Sequence, residues 1–185
     1  MQTNEQSLEF DRVVVTADLE LQLRLYRRLY LSRIDLDEAK AAVDELLSSK
    51  IVIPRSKLPS PLLMSLTTAL VVAYARPFVN SRGQSAVAER TLPGSILRKL
   101  SSNERIIHNH LIDVRNREVA HSDADILELS IQLYPDGDGG LYLAARAPYS
   151  RKELRIILQI INKLEQEIDS RCSELRAALP HNVWL

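Results

Sequence analysis

At about 100° per residue, the apolar positions of this chain fall into helical stripes over most of its length. Leu19, Leu23, Tyr26 and Tyr30 fall together, with Leu21, Leu25 and Leu29 beside them, while Glu20, Arg24, Arg27 and Arg28 collect opposite as a solvated face. The pattern predicts an amphipathic helix over about 17–33. Val13–Val15 either begins it or stands alone as an extended segment. Asp35 and Glu38 have capping-box spacing and predict the start of a second helix. That helix runs to about Ser49 with Ala39, Ala42, Val43, Leu46 and Leu47 on one side. Ile51–Pro61 holds three prolines and reads as a loop. A third helix, about Pro61–Asn80, is apolar nearly all round, which predicts the central element of a bundle. Pro77 should kink or end it near Arg76.

After a polar loop over 80–94, a short helix is expected at Gly94–Leu100. Ser101 and Glu104 then open a helix expected over about 102–120. From Ile126 to Tyr134 the period changes to two, with Leu127, Leu129, Ile131 and Leu133 on one face. The turn Pro135-Asp-Gly-Asp-Gly-Gly140 leads to a second alternating run, Leu141–Ala147. These features predict a β-hairpin over about 126–147. The last helix begins at Ser150, with Glu153 three residues on, and Pro180 stops it. Its stripe of Leu154, Ile157, Ile160, Ile161, Leu164, Ile168, Cys172, Leu175 and Leu179 is long enough to pack on the bundle and on a second subunit. The expected fold is one mainly α domain over residues 1–185, a four- to five-helix up-and-down bundle with a β-hairpin inserted before the last helix.

Composition narrows the chemistry. The 185 residues contain 24 Lys+Arg and 24 Asp+Glu, a formal net charge of zero. A chain-wide basic field for non-specific nucleic-acid binding is therefore absent, while a local basic patch is still allowed. Cys172 is the only cysteine, so neither an intramolecular disulfide nor a Cys-x-x-Cys zinc site is available. The longest apolar stretch, Leu62–Ala75, is broken by Ser65, Thr67 and Thr68 and reads as a core helix, with no membrane span expected. The first residues are polar and acidic, without a signal-peptide pattern, and the expected compartment is the cytoplasm.

Several chemical patterns have ordinary explanations. His108 and His110 lie about 200° apart on a helix and cannot both grip one ion; His110 reads as a partly buried helix residue. Asp136-x-Asp138-x-Gly140 begins like a calcium loop but has Ala147 where the distal Glu belongs, so it reads as a turn. Neither a phosphate-binding glycine loop nor a nucleophile elbow occurs. No metal and no cofactor is expected.

One segment remains: Leu111-Ile-Asp-Val-Arg115-Asn116-Arg-Glu-Val-Ala120-His121-Ser-Asp123. It resembles the signature of the HEPN family (higher eukaryotes and prokaryotes nucleotide-binding): an Arg, a following polar residue that is often Asn, and a His four to six residues beyond the Arg. Arg115, Asn116 and His121 match it late in a helix, and the expected bundle agrees in class. Tyr74-Ala-Arg-Pro-Phe78 also resembles small bacterial relatives, with no chemistry attached. The resemblance implies a homodimer acting on RNA, in its catalytic form a metal-independent endoribonuclease leaving 2′,3′-cyclic phosphate ends. It alternatively implies a non-catalytic nucleotide-binding or protein-interaction module of a defence or toxin–antitoxin system, with a partner such as a nucleotidyltransferase. In the catalytic reading Arg115 takes the phosphate, His121 moves protons and Asn116 positions.

Spacing complicates that assignment. Arg115 and His121 sit about 120° apart on an ideal helix, so they converge only where the helix ends or distorts, or across two subunits. Arg117 and His121 share a face, which makes Arg117 a rival anion ligand; His110 lies on the Arg117–His121 stripe and His108 above Arg115, so both are candidate substrate contacts. The bland account of the segment is a helix C-terminus whose dipole is answered by His121.

Overall fold

The computed structural model describes residues 16–48, 60–80, 88–119, 129–133, 139–143 and 149–179, with side chains described to residue 117 and again from 149. Four long helices form a mainly α bundle: α1 (Ala17–Ser48), α2 (Pro61–Ala75), α3 (Ser102–Val114) and α4 (Arg151–Ala178). α1 packs on both α2 and α4, and α3 closes the arrangement by packing on α2 and α4. Two short strands, β1 (Leu129–Leu133) and β2 (Gly139–Leu143), pair antiparallel with Ile131 opposite Leu141.

α1 is one helix of 32 residues, not two. The spacing of Asp35 and Glu38 imitates a capping box, but both carboxylates accept from Arg76 Nη1, at 3.3 and 2.5 Å. The buried positions Leu29, Leu36, Ala39, Val43 and Leu46 follow one another by seven, three, four and three residues. That helical phase passes through Asp35 unchanged, and no Gly or Pro interrupts it. The expected solvated face of α1 also needs correction. Arg28 is only 7% exposed. Its Nη2 donates to the Arg76 carbonyl at 2.7 Å, satisfying a C-terminal carbonyl of α2, while the apolar Leu21, Tyr30, Leu31 and Ile34 are exposed.

α2 begins as expected: Pro61 occupies the first turn and the Ser60 hydroxyl accepts from Leu63 N–H at 3.2 Å. It ends in a 3₁₀ turn, Arg76–Phe78, set by Pro77. Its place differs from expectation, because α2 buries one face and leaves the other open. Pro61–Phe78 is long and apolar enough by composition to cross a membrane (mean hydropathy 1.2), and 44% of this window is buried in the bundle.

The core is continuous. Leu29, Leu36 and Val43 of α1 meet Leu63, Leu70 and Tyr74 of α2, Leu111 and Val114 of α3, and Ile157, Ile160, Ile161 and Leu164 of α4 in one cluster. Each such aliphatic side chain contributes roughly 1.5–3 kcal/mol by leaving water. Ion pairs fix the angles around it. Buried Glu165 of α4 accepts from Arg33 at 2.9 Å and Lys40 at 3.2 Å, both on α1. Both capping boxes predicted for the later helices form, at Ser101–Glu104 and Ser150–Glu153.

Candidate functional site

The residues singled out by the motif are carried by α3 and the turn that follows it. The Ser101 hydroxyl accepts from Glu104 N–H, and the Glu104 carboxylate accepts from Ser101 N–H at 2.8 Å. The same carboxylate, 7% exposed, accepts from Lys163 Nζ of α4 at 2.8 and 2.9 Å. The Lys163 bond, then the Ser101 amide, holds its carboxyl below the usual range. The start of α3 is therefore anchored to α4 by one buried anion.

Two turns on, the helix presents His108 inward. It is 5% exposed, and a hydrogen bond of 2.9 Å joins its Nδ1 to the Tyr74 hydroxyl. Phe78 meets the imidazole edge to face at 4.7 Å between ring centres. Burial, with a smaller effect from the charge of Arg105, lowers the imidazole to about 4, and burial pushes the Tyr74 phenol far up. Both rings are neutral near pH 7. His108, expected to contact substrate, is enclosed by the aromatic residues at the end of α2. The Tyr74–Phe78 segment thereby acquires a structural role. Tyr74 and Phe78 wall in His108, and Arg76 between them joins α2 to α1.

His110 faces the other way. It is exposed, not partly buried, and its ring lies 6.2 Å from that of Tyr149 in an edge-to-face arrangement. Among the described residues no group of three or more His, Cys, Asp or Glu is placed to hold a metal ion. The Asp136–Asp138 turn lies outside the described residues.

The regular helix gives way at Arg115. Its N–H points between the carbonyls of Leu111 and Ile112, and Arg115–Val119 forms a π-helical turn. Such turns widen a helix by one residue and concentrate at functional sites. Arg115 and Asn116 are both half-buried, and Arg115 Nη1 donates to Asn116 Oδ1 at 3.0 Å. The amide oxygen thus orients one edge of the guanidinium. Arg117 is exposed and stands 3.8 Å from Asp113, one helical turn back. A pair so open to water is worth little. The C-terminus of α3 carries partial negative charge. A phosphate here must therefore be held by side-chain cations, without help from the helix dipole.

The structure thus brings Arg115 and Asn116 together, sends Arg117 and His110 to the surface and buries His108. His121 lies outside the described residues. A π-helical turn and the enclosure of His108 have no single-sequence signal. The enclosure depends on what the end of α2 places beside α3. Comparison with protein-family models, with curated proteins and with solved structures finds no match.

Proposed function

We propose that this chain is a HEPN-like homodimeric protein of the cytoplasm that acts on RNA as a metal-independent endoribonuclease. The observation that carries the reading is the Arg115–Asn116 pair, half-buried and hydrogen-bonded where α3 distorts into a π-helical turn. In this reading the guanidinium holds the scissile phosphate, supplying planar, permanent positive charge as negative charge builds on the phosphoryl oxygens. His121 accepts the proton of the ribose 2′-hydroxyl. The 2′-oxygen bonds to phosphorus, the bond from phosphorus to the 5′-oxygen breaks, and a second proton donor protonates the leaving oxygen. The second copy supplies that donor as its own His121, which one chain alone lacks. The products are a 2′,3′-cyclic phosphate and a 5′-hydroxyl. His108 takes no part, because it is buried and neutral.

A second reading is favoured by the same hydrogen bond: an arginine whose partner is its own neighbour is also what a motif kept for structure or nucleotide binding would show. The chain is then an interaction module of a defence or toxin–antitoxin system, paired with a protein such as a nucleotidyltransferase. RNA cleavage in EDTA, compared with Arg115→Ala and His121→Ala, separates the two. The ribonuclease reading expects cleavage by the wild type and none by either variant. The module reading expects no cleavage by a folded protein.

A further inference from the structure

α3 and α4 run antiparallel: Glu104 near the start of α3 bonds Lys163 well along α4, and His110 in the later half of α3 meets Tyr149 just before α4 begins. The first turns of α4 therefore lie beside the end of α3, where Arg115 and Asn116 stand. His110 is five residues before Arg115, about 7.5 Å along the helix axis. Its imidazole is exposed, and Tyr149, itself buried, braces it on one side. Arg117, two turns beyond His110, is exposed as well.

Charge is unevenly distributed here, although the chain as a whole is neutral. Each acidic side chain of α3 and α4 is already engaged, by a cation as in Glu104–Lys163, or by an amide or hydroxyl as in Glu153–Ser150. Lys152 and Arg155, one turn apart at the start of α4, are exposed and have no ion pair or hydrogen bond among the described residues. The acid between them, Glu153, is held by the Ser150 N–H at 2.7 Å. A row of uncompensated positive charge thus begins beside the Arg115 site. Unpaired cations next to a ring open to stacking suit a single RNA strand, whose phosphates take the cations and whose unstacked bases take the ring. An acidic peptide would answer the cations and leave the ring without a role.

We propose that His110, Lys152 and Arg155 form the track along which single-stranded RNA leaves the Arg115 site. Lys152 and Arg155 take two successive backbone phosphates; their Cβ atoms stand about 5–6 Å apart, near the spacing of neighbouring phosphates on one strand. A base one or two nucleotides from the scissile bond stacks on His110. None of the three takes part in the chemistry. They hold the strand, and they favour unpaired RNA, because the bases of a duplex are already stacked on one another. The inference rests on the RNA reading proposed above and names the surface that binds the substrate. In a dimer whose two Arg115 sites share one cleft, the track of each copy leads out of it along its own α4.

Fluorescence anisotropy in EDTA tests it, with the full chain carrying His121→Ala to prevent cleavage and a labelled single-stranded RNA of about 12 nucleotides. In that background Lys152→Gln/Arg155→Gln should weaken binding roughly tenfold or more at about 0.1 M salt, and the slope of log affinity against log salt should become shallower by about 1.4, from two phosphates at about 0.7 each. His110→Ala should weaken binding about fivefold or more and leave the slope unchanged, because stacking releases no counterions. Arg98→Gln is the control. This exposed arginine sits on the 3₁₀ turn Gly94–Lys99, whose Lys99 lies 3.8 Å from Glu167 of α4. Glu167 is about 22 Å along α4 from Lys152, so this variant should leave affinity and slope as they are. All four positions are exposed, and circular dichroism should show unchanged helicity in each variant. Affinity and slope indifferent to the double variant, or an equal loss in Arg98→Gln, would overturn the track, as would a folded chain that binds no RNA. Binding that depends on Lys152 and Arg155 beside an absence of cleavage by the wild type would keep the track and remove the ribonuclease reading. Cleavage abolished by Arg115→Ala, with binding indifferent to Lys152 and Arg155, would do the reverse.

Discussion

Burial of His108 makes the stability of this bundle depend on pH in a way that can be calculated. The imidazole lies at about 4 in the folded chain against an ordinary 6.5, because it has left water among Tyr74, Phe78 and the body of α3. Below pH 6.5 the unfolded chain gains a proton here that the folded chain refuses. The stability associated with His108 is thus fully present above pH 6.5 and is lost as pH falls from 6.5 toward 4. The gap of about 2.5 pH units corresponds to about 3 kcal/mol in all. Between pH 7 and pH 5 the loss is about 2 kcal/mol, or roughly 4–8 °C in Tm for a chain of this length. Carboxylates such as Glu104 also titrate at low pH, and they lose stability in the same direction, but they do so in any variant. The informative quantity is therefore the difference between the wild type and His108→Asn, which keeps a hydrogen-bonding group near Nδ1 and removes the titration. Urea unfolding followed by circular dichroism at pH 7 and pH 5 gives it. His108→Asn should be less stable at pH 7 and should lose about 2 kcal/mol less than the wild type on going to pH 5. Parallel pH dependence in the two proteins would refute the reasoning and place His108 in water.

Three further outcomes follow from the same structure. Tyr74→Phe leaves His108 Nδ1 without its 2.9 Å partner in a dry site and should cost about 1–3 kcal/mol in urea unfolding. Ser101→Ala removes the hydroxyl half of the capping box on α3 and should cost about 1 kcal/mol, leaving the Glu104–Lys163 bridge in place. Asp37→Pro tests the continuity of α1: inside one unbroken helix it should cost about 3 kcal/mol or more, whereas a helix beginning at Asp35 would tolerate it in its first turn.

What could be read from the sequence, and what could not, divides along local and non-local causes. The start at Pro61, Ser101 with Glu104, Ser150 with Glu153 and the stop at Pro77 act within a few residues, and each appears where the pattern places it. The break expected at Asp35 is a local signal overruled from a distance: Arg76, contributed by α2, takes both carboxylates that would have capped a new helix. Arg28 belongs to the same class. On a helical wheel it joins the charged side, but the end of α2 lies over it and gives its guanidinium a carbonyl to bond. For the candidate site, the adjacency of Arg115 and Asn116 and their position late in a helix were legible. The hydrogen bond between them and the π-helical turn carry no pattern that one sequence displays, and the enclosure of His108 depends on Tyr74 of α2, far away in the chain. The apolar character of α2 was also legible, but which of its faces the bundle leaves open was not.

The central question is whether Arg115 does chemistry. The most direct measurement is cleavage of several RNA classes by the purified full chain in EDTA, with Arg115→Ala and His121→Ala alongside and the product ends identified. Metal-independent cleavage is expected, leaving 2′,3′-cyclic phosphate and 5′-hydroxyl ends and abolished in both variants, while each variant keeps wild-type helicity and mass. Equal cleavage by the wild type and Arg115→Ala, or none by a folded dimeric wild type, would contradict it.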